Sequence, residues 1–329
     1  MIYLITGIAG FIGSSLAHEL VHRGETVRGV DSFVTGRAEN LADIRDEIQL
    51  FDADINDSDT MEEACRGVDY VLHQAAIASV PRSIADPVAS NRANIDGTLS
   101  VLMAARAGGV KRVIYASSSS LYGDTPTLPK HEGMLPNPIS PYAVSKLAGE
   151  YYMKSFYRVY GLETVSLRYF NVFGPRQDPT SQYSGVLAKF IPRMLRGEKP
   201  TIYGDGEQSR DFTFVKNVVA ANLLACKADA RRVAGLAMNV AAGQRITLNE
   251  TFAMLQKLTG YTGEPDYGSE RQGDIKHSMA DITLAESSLG YSPEVSFEDG
   301  MKQTVDWYRA QLVGAGQSHK TRAVLGEQR

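Results

Sequence analysis

The sequence predicts an α/β chain: a Rossmann-like, doubly wound parallel sheet with a smaller mixed α/β domain. Three observations predict it. Through the first half of the 329 residues, short apolar runs alternate with helical patterns, the order of a parallel sheet with crossover helices. Runs such as "YVLH" at 70–73 and "VIYA" at 113–116 are apolar throughout rather than alternating, as strands buried on both faces are. A glycine-rich turn follows directly on the first such run.

Element by element, strands are predicted over Ile2–Thr6, Thr26–Val30, Ile48–Asp52, Tyr70–His73, Arg112–Ala116 and Thr164–Tyr169, with helices near 11–23, 58–65, 91–107 and 141–160 between them. From about residue 175 the texture changes. "GPRQDPTSQYSG" is polar, proline-bearing and loop-like, and mixed short elements follow, with a strand at Ala237–Val240 and a helix at Leu248–Leu258. The predicted organisation is a first domain over 1–175, to which the chain returns around 211–245, a second over 176–313, and a flexible tail over 314–329, where the sequence is polar and non-periodic.

Composition narrows the partners. An apolar share of 43% with 22% charge is ordinary for a globular chain. A net charge of −4 provides no global basic field for nucleic acid or an anionic membrane, so an anionic ligand must be held by local groups. The uncharged stretch from Met1 to Ala17 lacks a basic start and is broken by Gly7, Gly10 and Gly13, which reads as a buried strand and helix rather than a signal peptide. No other run approaches the ~20 apolar residues of a membrane span. Two cysteines, Cys65 and Cys226, make neither a disulfide framework nor a zinc knuckle and suit a reducing cytosol, the expected location.

"TGIAGFIG" (6–13) lies between an apolar strand and an amphipathic helix, the setting a dinucleotide fingerprint requires. Gly7 permits the tight turn, Gly10 lets the backbone approach a pyrophosphate, and Gly13 allows close packing of helix on strand. The N–H groups at the helix start then face the phosphates. Asp31 ends the second strand, where a carboxylate accepts from the adenosine ribose hydroxyls and repels a 2′-phosphate, favouring NAD over NADP. Arg37, six residues on, is a counter-signal unless it is solvated. Asp54 ends the third strand near where adenine would lie.

The first helix also contains His18-Glu19-Leu20-Val21-His22, a literal HExxH zinc motif. Ile12, Leu16, Leu20 and Val21 form its apolar stripe, which turns His18, Glu19, His22 and Arg23 towards solvent. No metal site is expected.

"YASSSSLYG" (115–123) ends the fifth strand, where ligands meet an open α/β sheet. In "SPYAVSKLAGE", Tyr142 and Lys146 are four apart and share one helical face. A phenol with pKa ~10 is a poor base at neutral pH, and lowering it ~3 units takes about 4 kcal/mol. A cation ~5 Å away at an effective dielectric near 20 supplies roughly 3 kcal/mol, so Lys146 provides much of the shift and a nicotinamide cation the rest. Ser118 would hydrogen-bond the reacting oxygen. This is general acid–base catalysis by a tuned phenol.

Together these motifs resemble the extended short-chain dehydrogenase/reductase family, in its branch of nucleotide-sugar epimerases and dehydratases. The likeness covers about residues 1–310 and includes "HQAA" at 73–76, "NIDGT" at 94–98, "LRYFNVFGPRQ" at 167–177, "GDGEQSRDF" at 204–212 and "RQGDIKHSMAD" at 271–281. The resemblance implies a tightly bound NAD, lined by Phe11, Ile12, Ser32, Ile55, Gln74, Ala75, Ala76, Asn94, Ser117, Tyr169 and Val172 besides the residues above. It implies a UDP-sugar whose diphosphate is held by Asn171, Arg210 and Arg271, with Asp274 at the uridine ribose and Tyr203 near the uracil. Ser79, Ser119, Val186 and Ser278 complete the implied substrate site.

By the same resemblance the reaction is 4-epimerisation of a UDP-hexose through a 4-keto sugar. Related dehydratases carry an Asp-Glu pair after the catalytic hydroxyl residue, and related decarboxylases a glutamate at the second place; Ser119 and Ser120 stand there. Ser278 stands where strict UDP-glucose epimerases place a bulky tyrosine, which implies turnover of UDP-N-acetylglucosamine and UDP-N-acetylgalactosamine beside UDP-glucose and UDP-galactose. Asp178 argues by like charge against a glucuronate. The alternatives are a UDP-glucuronate 4-epimerase, a net-redox dehydrogenase or reductase, and a non-catalytic NAD-sensing protein. The helices at 91–107 and 141–160 carry apolar positions beyond one stripe, and relatives pair such helices across a homodimer.

Overall fold

In a computed structural model of the chain, residues 1–179, 185–270 and 275–326 are described. Seven strands form one parallel sheet: β1 (Ile2–Thr6), β2 (Thr26–Asp31), β3 (Ile48–Asp52), β4 (Tyr70–His73), β5 (Arg112–Ser118), β6 (Glu163–Tyr169) and β7 (Leu236–Val240). Their order across the sheet is β3-β2-β1-β4-β5-β6-β7, so the sheet is doubly wound and the direction of winding reverses between β1 and β4. Loops at the carboxyl ends of those two strands diverge and leave a crevice, where open α/β sheets bind ligands.

Both faces of the sheet are covered, which is why Leu4 and Ile5 of β1, Val71 and Leu72 of β4, and Val113 and Ile114 of β5 are all buried. On one side Leu16, Ala17 and Leu20 of the Phe11–His22 helix meet Val218, Ala221 and Ala225 of the Val215–Lys227 helix over Ile5 and Ile114. On the other, Val101, Leu102 and Ala105 of the Gly97–Ala107 helix and Met153 and Phe156 of the Pro141–Tyr160 helix pack on Leu4, Val71 and Val113.

A second core lies beyond the sheet. Phe173, Phe212, Phe214 and Phe297 pack ring on ring, with Phe190, Ile191, Phe252, Leu255 and Met301 around them. Short strand pairs stiffen this lobe: Thr201–Tyr203 beside Asp266–Gly268, and Ser209–Arg210 beside Ile246–Thr247. The chain re-enters the first core through the Val215–Lys227 helix and β7, and again through Ala285, Leu289 and Tyr291.

Two elements differ from the sequence reading. The helix expected over 91–107 is Pro87–Asn91, a π turn over Arg92–Asp96, and Gly97–Ala107. The final helix runs Phe297–Gly326, through the segment from Gly314 read as a flexible tail. Phe297, Met301, Val305 and Tyr308 anchor the start of this helix in the second core. No described helix is long and apolar enough to cross a membrane.

Candidate active site

The crevice at the carboxyl ends of β1 and β4 is a cavity of about 1130 Å³, above the usual range for a small-molecule site. One end is walled by the glycine turn. Gly7 has φ +69°, and a Cβ there would lie 2.8 Å from the Ala75 backbone. A Cβ on Gly13 would lie 2.1 Å from the Gly7 carbonyl oxygen, so the first helix meets the turn at a distance that excludes any side chain. Gly10 caps this helix with extended backbone and no side-chain hydrogen bond, leaving its first N–H groups for an anion.

Asp31 is 7% exposed and borders the same end. Its carboxylate accepts from the backbone N–H of Ala9 and of Phe33, both at 2.8 Å. Burial pushes its pKa up, against the pull of those two donors. Two accepted bonds leave lone pairs over for further donors. Gly36 approaches so closely that a Cβ would lie 2.6 Å from Asp31 Oδ1. Arg37, the counter-signal to NAD, is engaged: its Nη1 lies 3.3 Å from Asp178 Oδ1 and its Nε 3.7 Å from Glu39.

At the far end Ser118, Tyr142 and Lys146 border the cavity together, with Ala116, Ser117 and Tyr169. Ser140 caps the helix carrying the pair by accepting from the Ala143 N–H at 3.2 Å, with Pro141 in its first turn. The Tyr142 backbone N–H donates to Ser83 Oγ at 3.0 Å, which ties the helix start to the Val80–Ala85 turn. Lys146 Nζ, 3% exposed, donates to the Ala116 carbonyl at 2.9 Å and lies 4.9 Å from the Tyr115 ring centre.

Burial lowers the Lys146 pKa to about 7. It raises that of the Tyr142 phenol, with the Ser118 hydroxyl pulling it back. The expected lowering of the phenol is therefore not a property of the chain alone. Removing both groups from water disfavours the phenolate and the ammonium alike, so a further cation beside the phenol is needed to bring it down.

The other predicted residues divide by place. Phe11, Ile12, Ser32, Asp54, Ile55, Gln74, Ala75, Ala76, Ser79 and Val172 border the main cavity. A second cavity of about 280 Å³ adjoins it, sharing Asn171, Val172, Gln177 and Gly185, and is walled by Val186, Tyr203 and Arg210. Arg210 Nη1 donates to the Ser209 carbonyl at 3.0 Å. Asn171, at φ +33°, donates from Nδ2 to the Asp211 carbonyl at 3.1 Å. Arg271 and Asp274 lie outside the described residues.

Asn94, Ser119 and Ser278 border neither cavity. Asn94 is buried behind the wall: it accepts from the Ile77 N–H at 2.8 Å and donates to Ser145 Oγ at 2.9 Å, fixing the loop after β4 against the Pro141–Tyr160 helix. Ser278 is buried with its N–H on the Ser209 carbonyl.

Sequence reasoning missed a buried network beneath the site. Glu150 accepts from Ser117 Oγ at 2.5 Å and pairs with Arg168, whose Nη1 donates to Tyr122 OH at 2.8 Å. Its signal was present, because Tyr142, Lys146 and Glu150 follow at intervals of four on one helix face. Arg82, Arg92 and Arg176, which also border the main cavity, carry no such spacing. In the HExxH stretch, His18 Nε2 is 3.0 Å from the Asn40 carbonyl and Glu19 pairs with Arg23; among the described residues no three His, Cys, Asp or Glu side chains gather as a metal site.

A model of the NAD dependent epimerase/dehydratase family matches residues 3–241. The chain belongs to that family. Its cofactor is NAD, and the close-approach glycines, the buried Asp31 and the volume of the cavity fit a dinucleotide. A solved UDP-glucose 4-epimerase of Thermotoga maritima is 40% identical, superposes with a TM-score of 0.90, and is matched over 95% of this chain and 100% of its own. A UDP-N-acetylglucosamine 4-epimerase of Methanobrevibacter ruminantium is 41% identical with a TM-score of 0.89, over 94% and 98%. A UDP-glucuronate 4-epimerase of Thermodesulfobacterium geofontis is 32% identical over 94% of this chain and 97% of its own.

Proposed function

We propose that the chain is an isomerase that inverts C4 of a UDP-hexose. The observation that carries this reading is the convergence of Ser118, Tyr142 and Lys146 on one end of the NAD cavity, next to a second cavity walled by Tyr203 and Arg210. NAD, when bound, would supply the acceptor and then the donor for the C4 hydride, with a 4-keto sugar between the two transfers and no net redox change.

The chain's own residues handle the proton and the orientation. The Tyr142 phenol takes the proton from the C4 hydroxyl oxygen and gives it back after inversion. Ser118 hydrogen-bonds the same oxygen. Lys146 steadies the phenolate, its ammonium already fixed by the Ala116 carbonyl. Arg210, with Asn171 and by resemblance Arg271, holds the diphosphate while the sugar turns about that linkage. Ser119 and Ser120 have no carboxylate with which to eliminate water or assist decarboxylation. Tyr142→Phe should lower kcat by roughly 10²- to 10⁴-fold without weakening NAD binding; full-rate inversion, measured by separating C4 epimers after incubation without added cofactor, would refute the assignment.

Within this reading the substrates are UDP-N-acetylglucosamine and UDP-N-acetylgalactosamine together with UDP-glucose and UDP-galactose, on the argument that Ser278 leaves room for a 2-acetamido group. Because Ser278 stands behind the cavity walls, a larger side chain would act by pushing the Ser209–Arg210 strand inward. Ser278→Tyr should suppress turnover of the N-acetylated sugars while sparing UDP-glucose; equal losses on both would remove the argument.

One observation favours a second reading. Asp178, which argued against an acidic sugar by like charge, is paired with Arg37 at the adenosine end of the cavity. Its charge is partly neutralised by that pairing, so a UDP-glucuronate should be assayed beside the neutral sugars. The enzyme is further proposed to act as a homodimer.

A further inference from the structure

We propose that residues 174–178 form a clasp that retains NAD, with Arg176 as a contact for the cofactor diphosphate and the Arg37–Asp178 ion pair as its latch. The geometry starts at Arg176. This residue holds φ +69°, the left-handed region that a side chain of this size rarely adopts and that persists where the surroundings impose it. The conformation sets its guanidinium against the main cavity beside the first helix, where Nη2 donates to Ser15 Oγ at 3.2 Å. Its Nε is buried without a hydrogen-bond partner, and burial holds its pKa below the usual range.

Arg176 is half-buried, and a guanidinium Nε–H held out of water without a partner is costly unless an acceptor meets it. The anion this end of the cavity is shaped for is the diphosphate at the helix N-terminus. The glycine turn over 6–13 contains no Lys or Arg of its own, so the neutralising charge has to come from another segment.

Two residues further on, Asp178 meets Arg37 at 3.3 Å across 141 positions of sequence. Arg37 is itself pinned to the glycine turn, its N–H donating to the Ala9 carbonyl at 3.0 Å, and Asn40 Nδ2 donates to the same carbonyl at 2.9 Å. On the opposite side Tyr308 OH donates to the Gln177 carbonyl at 2.5 Å, anchoring the segment to the second core. Residues 176–178 thus bridge the two lobes along the cofactor cavity, and release of NAD requires their contacts to give way. The inference rests on the epimerase reading in one respect: a cofactor regenerated within each turnover gains from slow release.

The test measures NAD leaving the holoenzyme, with no sugar present, so its outcome does not depend on whether the epimerase assignment holds. Purified wild type, Arg176→Gln, Arg176→Lys and Asp178→Asn are diluted into an NAD-consuming trap and release is followed by absorbance; UDP binding is measured in parallel by calorimetry. Arg176→Gln should release NAD roughly ten- to a hundred-fold faster, the range for a hydrogen bond to a charged group, and Arg176→Lys should fall between it and wild type. Asp178→Asn should accelerate release about two- to five-fold, as for an exposed ion pair, and should blunt the acceleration that salt causes in wild type. UDP affinity should change less than two-fold throughout. Unchanged release in Arg176→Gln, or a loss of UDP affinity with NAD release intact, overturns the proposal. If Arg176→Gln does not fold, Arg176→Lys and Asp178→Asn decide it by the same readings.

Discussion

Lys146 is 3% exposed, and burial brings its pKa from 10.5 to about 7. Between those values the unfolded chain holds the proton and the folded chain largely does not. Stability attributable to this group is therefore present above pH 10.5, declines as pH falls through the window, and levels off below about 7. Lys146→Met, which removes the buried ammonium, should make the NAD-free protein more stable by on the order of 2–4 kcal/mol near pH 6.5, with the gain shrinking towards pH 9.5. Urea unfolding at the two pH values measures it, and an equal gain at both would mean that the ammonium is not the destabilising group. Under the proposed mechanism catalysis and stability pull apart at this residue, as expected where a charge is buried for its chemistry. At this scale the sequence revealed the Tyr142–Lys146 spacing, because four residues is a property of any helix. It concealed that Lys146 would end on the Ala116 carbonyl and that Asn94 would stand behind the wall, because both depend on how β5 and the loop after β4 approach the helices.

Among the elements, legibility followed burial. Strands β1, β3 and β4 begin and end where the sequence places them, while β5 reaches two residues further, through the polar Ser117 and Ser118 that border the main cavity. The π turn at Arg92–Asp96 left no trace in the pattern, since one added residue per turn shifts the apolar phase without breaking it. The glycine turn was legible, and its two kinds of glycine can be told apart by substitution. A Cβ at Gly13 would lie 2.1 Å from the Gly7 carbonyl oxygen, whereas Gly24, at φ +72°, has open space around it. Gly24→Ala should cost only the left-handed strain, about 1–2 kcal/mol, and leave NAD affinity unchanged. Gly13→Ala should cost about 1–3 kcal/mol or more through overpacking and also weaken NAD binding at least ten-fold, because the helix N-terminus must move off the turn. Thermal unfolding with cofactor titration distinguishes them; equal NAD affinities in the two variants would show that the close approach does not position the phosphate site.

For the molecule as a whole, one outer face is more apolar than a solvated surface needs to be. On the Pro141–Tyr160 helix, Val144 and Tyr151 are 48% and 59% exposed, and Met103 on the neighbouring Gly97–Ala107 helix is 49% exposed. Val144, Ala148, Tyr151 and Ser155 follow at intervals of four, three and four on the side facing away from the sheet, the spacing by which one helix packs against another. Two helices presenting such a stripe side by side would complete a four-helix arrangement with a second copy in the proposed homodimer, each burying what the other exposes. Sedimentation at micromolar concentration should give a dimer. Tyr151→Asp places a charge in the centre of that contact, where burying it unpaired is prohibitive, and should shift the protein to a monomer. Because Tyr142 and Lys146 occupy the opposite face of the same helix, the monomer should still bind NAD, with any loss of turnover arising from loosening of the helix rather than from a missing residue. A wild-type monomer, or a Tyr151→Asp variant that remains dimeric, would place the partner surface elsewhere.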